Sequence, residues 1–312
     1  MPISSAASLI TSRDETRKGF IDFALEKNRR AQPYISEAKA LRHFASKAAC
    51  PEDLLEMPEI RSALLTASGL SDKAMAYFDE EAKTKALHEM IEKFLKPAGN
   101  EFADEVVYRF LLIKGDALGG SMRNLIGSLA QKKLVRNFLS VLNVSDTKYR
   151  WLPIRGRAWK ERPQDDYESE NDIKAISWKL RDCDRTLGFN LKMRSVDKNI
   201  DICLFSCSPQ EYSSGMVLER AELHLMFGEL KGGIDPAGAD EHWKTANTAL
   251  ERIREAYSRA EHHVMTSFVG AAIERNMAQE MFSQVSSGKL DMAVNLTKDD
   301  QIFDYCRWIL SI

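Results

Sequence analysis

From Asp14 to about Asn143 the apolar residues recur at three- and four-residue spacing, as in Phe20, Phe23 and Ala24 and again in Leu87, Met90, Ile91 and Phe94. Side chains so spaced fall on one face of an α-helix, and the spacing predicts six or so helices in an N-terminal all-α domain. Pro33, Pro51, Pro58, Gly69 and the stretch Pro97 to Gly99 read as its breaks, because proline lacks a backbone donor and glycine frees the chain. Ser71 followed by Asp72 reads as a helix start.

The texture then changes. Ala175 to Leu180, Thr186 to Met193, Ile200 to Ser206 and Glu222 to Lys231 are short runs rich in strand formers. Helical patterns follow at Asp240 to Tyr257 and Gly270 to Gln284, with a strand between them at His263 to Val269. A short run, Met292 to Leu296, precedes a closing helix from Asp299. Strands first, then alternating helix and strand, predict an α/β fold of the α+β kind, a mixed β-sheet flanked by helices. The helical domain is expected over residues 1–147 and the sheet domain over 173–312, with a connection over 148–172 that turns acidic from Pro163 to Asp172. No internal repeat or low-complexity tract interrupts this plan.

With 312 residues, 44% of them hydrophobic and 29% charged, the chain is long enough to bury a full core, and two domains are expected. It has no stretch of about 18 uncharged apolar residues, and its first residues lack the apolar core of a secretory signal, so no membrane segment is expected and the cytoplasm is the expected location. Five cysteines, an odd number in a large chain, suit free thiols, and no nearby His or Cys pair completes a zinc set with Cys203 and Cys207.

A net charge of −2 gives no overall excess of Lys and Arg, the usual mark of a phosphate-binding protein. The distribution is uneven, however. Lys148, Arg150, Arg155, Arg157, Lys160 and Arg162 face only Glu161 in their stretch, and Tyr149, Trp151 and Trp159 lie among them. Charge alone leaves two readings, a grip on a phosphate backbone and a solvated loop.

Chemistry concentrates in LHLMFGELKGG, Leu223 to Gly233. On a strand of period two, Leu225, Phe227, Glu229 and Lys231 share one face, so an apolar stripe runs into a carboxylate and an ammonium before Gly232 and Gly233 end it. Asp201 opens the apolar run Ile202 to Phe205 after the turn-like Asp197-Lys198-Asn199. If the two strands pair, Asp201 and Glu229 converge on one hard cation, Mg2+ with Mn2+ as substitute, rather than zinc. Such a cation polarises a phosphoryl oxygen and acidifies water, while Lys231 adds positive charge where the transition state gathers negative charge, as phosphodiester hydrolysis requires. The other reading of Glu229 and Lys231 is a surface salt bridge. Asp, a gap, then Glu-x-Lys is the loose signature of the PD-(D/E)xK nuclease fold, here with Ile200 rather than proline before Asp201.

The longer run GELKGGIDPAGADEHWKTA, Gly228 to Ala246, resembles the active-site region of the AvaI/BsoBI family of type II restriction endonucleases. The resemblance extends to Lys198-Asn-Ile-Asp201, to KGDALGGSMRN from Lys114 to Asn124 and to Lys148-Tyr-Arg-Trp151, and covers most of the chain. It implies Mg2+-dependent, sequence-specific cleavage of double-stranded DNA at C-Y-C-G-R-G-like sites, leaving 5′ overhangs. It also implies a homodimer whose helical and catalytic domains encircle the duplex, and a cognate DNA methyltransferase in the same prokaryotic cell; two-fold symmetry matches a near-palindromic site. Carried over by position, Asp201, Glu229 and Lys231 are the catalytic set, with Asp201 and Glu229 as metal ligands, and His242 is a general base or a DNA contact.

An imidazole in the first turn of a helix can accept a proton from attacking water, although His242 also reads as a partly exposed helix residue. Lys198 and Asp235 match base-edge contacts. Lysine donates to the N7 of either purine and aspartate accepts from a cytosine amino group, though both also read as turn residues. Lys73 is a minor-groove candidate, and Arg123, Arg155 and Arg157 are phosphate candidates. Gly119 and Gly120 either let two helices pack closely or admit a phosphate backbone; the missing Gly-Lys-Ser/Thr ending excludes a Walker loop. His43, His88, His224, His262 and His263 suggest no site. The competing functions are a structure-specific repair or recombination nuclease on the same fold and a non-enzymatic helical DNA-binding module.

Overall fold

A computed structural model describes residues 3–161, 172–259 and 261–312, the side chains of Arg123 and Asn124 excepted. Arg162 and nearly all of the acidic stretch lie outside the described residues. The chain forms two compact units, one of residues Ile21–Leu125 and one of Met1–Phe20 with Ile126–Ile312.

The helices of the first half are α1 (Ala6–Leu9), α2 (Arg13–Ala45), α3 (Arg61–Ala67), α4 (Asp72–Met75), α5 (Glu80–Met90), which runs on as a π-helical turn Ile91–Leu95, and α6 (Phe102–Val144). Ser12 opens α2 by accepting from the Glu15 amide while the Glu15 carboxylate accepts from the Ser12 amide, a reciprocal cap. Pro33 does not break the chain as expected; it lies inside α2, whose later residues Ala38, Leu41 and Ala45 are buried. Burying that face outweighs the one helical hydrogen bond that a proline removes. Pro51 and Pro58 do open new turns, Gly69 at φ +99° follows α3, and Ser71 caps α4 by accepting from the Ala74 amide. Within residues 21–125 the core gathers Leu41, Leu54, Leu64, Leu87, Val106 and Phe110.

The second half forms β1 (Tyr149–Pro153), β2 (Lys160–Glu161), β3 (Ile173–Leu180), β4 (Cys183–Met193), β5 (Lys198–Phe205), α7 (Pro209–Ser214), β6 (His224–Lys231), α8 (Ala239–Arg259), β7 (Met265–Gly270), α9 (Arg275–Ser286), β8 (Met292–Asn295) and α10 (Asp299–Ser311). The strands build one sheet in the order β2-β1-β3-β4-β5-β6-β7-β8. Neighbours run antiparallel from β2 through to β6, whereas β6, β7 and β8 are parallel. The mixed sheet flanked by helices is the α+β arrangement expected from the pattern.

Helices cover both faces of the sheet. On one, α8 buries Trp243, Ala246, Leu250, Ile253 and Tyr257 at three- and four-residue spacing beside Met277 and Met281 of α9; fully burying each large apolar side chain contributes about 1.5–3 kcal/mol. On the other, α10 packs with Leu134, Val135, Phe138 and Leu142 of α6. Because this part of α6 belongs to the sheet's core, the units divide between Leu125 and Ile126 rather than near residue 147. The basic stretch is likewise no mere connection. Tyr149 and Trp151 are 7% and 5% exposed on β1, where they pack against the sheet core. No described helix is long and apolar enough to cross a membrane.

Candidate active site

The β5–β6 ladder pairs Cys203 with Phe227 and Ile202 with Gly228, and ends there. Beyond it the Leu230 amide donates not to a backbone carbonyl of β5 but to Asp201 Oδ2, at 2.8 Å. On the other side of β5, the β4–β5 ladder pairs Phe189 with Ile202 and Leu191 with Ile200 but skips Asn190 and Asp201. Asn190 sits there at φ +53°, in the left-handed region. Released from both ladders, Asp201 turns its carboxylate to the end of β6.

Glu229 and Lys231 stand on that end, at the carboxyl edge of a strand with a parallel neighbour, where α/β sheets present groups to ligands. Lys231 Nζ lies 2.6 Å from Glu229 Oε2 and 3.4 Å from Asp201 Oδ2. The Glu229 side chain is only 7% exposed, against 25% for Asp201 and 24% for Lys231, so this is no surface salt bridge. Two carboxylates share one ammonium, which leaves a negative charge in a poorly solvated place. Burial first, and the Asp201 charge second, push the Glu229 carboxyl up to about 7 against the pull of Lys231. At Lys231 burial works against the charged form, but the two carboxylates outweigh it and hold the ammonium protonated.

Leu225 does not share the face of Phe227. Leu204 pairs with Met226 and Phe205 with His224, so a bulge falls at Leu225, which packs against the opposite core. The apolar stripe leading to Glu229 is therefore shorter than the sequence implies.

Behind Lys231 the chain is held by contacts with no sequence signal. The Lys231 carbonyl accepts from the Ala271 amide (2.9 Å), and the Ala271 carbonyl accepts from Thr11 Oγ1 (2.8 Å). The same hydroxyl accepts from the Ile273 amide (2.9 Å) and from Asn295 Nδ2 (2.8 Å), so all its capacity is used. Gly232, by contrast, does carry a signal. A Cβ there would lie 2.5 Å from Ala130 Cβ and 2.7 Å from the Ile126 carbonyl oxygen, so only glycine fits.

His242 is exposed in the first turn of α8, and a Cβ on Gly238 would come within 3.3 Å of its ring. Among the described residues no hydrogen bond joins it to Asp201, Glu229 or Lys231. Lys198 is the exposed first residue of β5, opposite Met193, rather than part of the turn; Asp197 at φ +46° is the turn residue. Asp235 does play a turn role, accepting from the Ala237 amide at 3.0 Å, and its side chain is exposed. Lys73 is exposed on α4, and Arg155 and Arg157 are exposed between β1 and β2. Arg123 is on α6, but its side chain lies outside the described residues.

A Cβ on Gly115, Gly119 or Gly120 would meet nothing within 4 Å, so close helix packing does not account for these glycines. All five cysteines are free, and burial raises the thiols of Cys203 and of Cys207, the latter to about 12. Among the described residues no group of three or more His, Cys, Asp or Glu could hold a metal ion. Asp201 and Glu229 therefore stand as a two-carboxylate set.

An Asp and a Glu-x-Lys meeting where the antiparallel part of a mixed sheet joins its parallel part define the class of restriction-endonuclease-like nucleases. Within that class the chain belongs to one family: the family model described as restriction endonuclease BsobI matches residues 1–312. It is 50% identical over 313 residues to the type II restriction enzyme BsoBI of Geobacillus stearothermophilus, covering 99% of this chain and 97% of that one. With the type II restriction enzyme AvaI, from Nostoc sp. and from Anabaena variabilis, it shares 46% identity over 310 residues, 99% of this chain and 98% of the other.

Proposed function

We propose that this chain hydrolyses phosphodiester bonds of double-stranded DNA at a C-Y-C-G-R-G-like sequence, leaving 5′ overhangs, as a Mg2+-dependent homodimer with Asp201, Glu229 and Lys231 at its chemical centre. The observation that carries the reading is the buried Glu229 beside Asp201, with Lys231 as the one ammonium between them.

Two carboxylates suit a hard cation that keeps several waters and takes its remaining ligands from phosphate, and the raised carboxyl of Glu229 marks uncompensated charge for such an ion to neutralise. Asp201 and Glu229 would hold Mg2+, or Mn2+ in its place, which would supply Lewis acidity towards a phosphoryl oxygen and a bound water. The protein supplies the rest. The Leu230 amide fixes the Asp201 carboxylate, and Lys231 remains protonated to oppose the charge that builds on the phosphate. His242, exposed beside the loop that follows β6, accepts a proton from attacking water or touches the DNA. Lys198 and Asp235, within four residues of Asp201 and Lys231 in the chain, read purine and cytosine edges. In this reading the helical residues 21–125 hold the duplex, Lys73 from the minor groove and Arg123 at a phosphate, while Arg155 and Arg157 hold phosphates from the sheet. A cognate methyltransferase protects the host DNA in the same cytoplasm.

Digestion of a sequenced plasmid tests this. Discrete fragments with uniform 5′ ends in Mg2+, and none without it, are expected. Cutting confined to branched or damaged DNA would make it a repair nuclease, and absence of cutting with Mg2+ and with Mn2+ would overturn the reading.

A further inference from the structure

The tip between β1 and β2 lies far from the carboxylates in sequence but level with them in the sheet. Pro153 pairs with Ile173 across β1–β3. Continuing the β3–β4 register of Ala175 with Gly188 sets Ile173 opposite Asn190, the β4 residue facing Asp201. The tip that follows Pro153 therefore leaves the sheet at the same end as Asp201, Glu229 and Lys231. From β1 to β6 there are four strand spacings, about 19 Å at roughly 4.8 Å each.

The base of this tip is fixed. Trp159 Nε1 donates to Ser213 Oγ at 2.8 Å, the Trp159 ring meets Tyr212 edge-on at 5.8 Å, and a Cβ on Gly156 would lie 2.8 Å from Pro153 Cγ. Other cations of the hairpin are engaged. Arg150 pairs with Glu161 at 3.7 Å, and the Lys160 ammonium lies 4.9 Å from the centre of the Trp151 ring. Arg155 and Arg157, both exposed, have no ion pair or hydrogen bond among the described residues. A braced turn that holds two guanidiniums with no partner among the described residues at the site's end of the sheet suits an external anion better than it suits folding.

We infer, on the reading that this site cuts duplex DNA, that Arg155 and Arg157 hold the phosphate backbone about five to six base pairs from the cleaved bond, since about 19 Å spans between five and six steps of roughly 3.4 Å. In a two-fold dimer the inward side belongs to the second copy, so the tip reaches outward into DNA that flanks the target. Contact there is blind to sequence and adds to affinity only when the flank is long enough.

Binding without divalent metal, measured by anisotropy on duplexes carrying one target and flanks of about 1 to 12 base pairs, tests the inference whether or not the protein cleaves. For the unaltered protein, affinity should rise about tenfold as the flank grows past about five to six base pairs. The double variant R155A/R157A should bind long duplexes like short ones, lower the salt slope of log affinity by about two, and melt at the unaltered temperature. The double variant R155K/R157K should keep the length dependence. A double alanine variant that follows the unaltered series, or that weakens short and long duplexes alike, overturns the inference. The nuclease reading fails separately, through absence of cutting in Mg2+ or Mn2+.

Discussion

The two ends of the sheet differ in what they offer a ligand. One end has open volume, a cleft of about 640 Å3 lined by Asp146, Tyr149, Trp178, Lys179, Asp184 and Ser208, and a second of about 390 Å3 beside Tyr257 and His262. The other end has Asp201, Glu229 and Lys231, which line neither cleft. Acids and bases both line the roomy end, where the buried His224 is bonded to Tyr257 and to the Val217 carbonyl. Burial keeps its imidazole below the usual range, as befits a neutral packing residue. At the charged end a buried carboxylate is held without a full counter-charge. On the proposed reading, a ligand as large as a duplex is met by unbalanced buried charge rather than by cavity volume.

The sharpest way to break that contrast is Glu229→Gln. Cleavage should fall by about a thousandfold or more, with DNA binding retained; unchanged cleavage in a plasmid assay would reduce Glu229 to a structural residue. Next in size is Thr11→Val, which removes a hydroxyl with three partners behind Lys231. Its kcat should drop by about tenfold to a hundredfold at nearly constant KM, and Thr11→Ser should restore it. A loss in KM alone would show that this clasp does not position the site.

Smaller effects come from titration. The folded protein binds a proton at Glu229 more tightly than the unfolded chain does, so this contribution to stability is full below about pH 4.5 and is lost as the pH rises through about 7. A divalent cation needs the ionised form. Saturating Mg2+ should therefore raise Tm more at about pH 8 than at about pH 6, and Glu229→Gln should raise the metal-free Tm at the higher pH. An equal Mg2+ shift at both pH values, seen by calorimetry, would contradict the assignment of Glu229 as ligand. Least of all is expected from the roomy end, where Lys179→Ala should leave cleavage within about twofold; a large loss there would erase the distinction between the ends.

Much of this was legible beforehand. Strands β3 to β8 and helices α8 to α10 fall within a few residues of their expected places, because alternation and three- to four-residue spacing survive burial on one or both faces. Strands β1 and β2 were not legible, since their charges mask Tyr149 and Trp151, whose burial depends on pairing with β3. Within the site Gly232 announced a close approach, whereas Thr11 and the Leu230 amide announced nothing, one being an ordinary threonine and the other a backbone group.

Taken by itself, the sequence determined the periodicities of the elements, the two carboxylates and lysine at strand ends, and the family to which they belong. Tertiary structure alone decided that Pro33 stays helical, that a bulge turns Leu225 away, that Asp201 meets the Leu230 amide 29 residues on, and that Thr11 closes on Ala271 across 260 residues. Period and propensity act over a few residues. Which buried donor meets which acceptor is settled only when distant segments share one sheet and every polar group must find a partner.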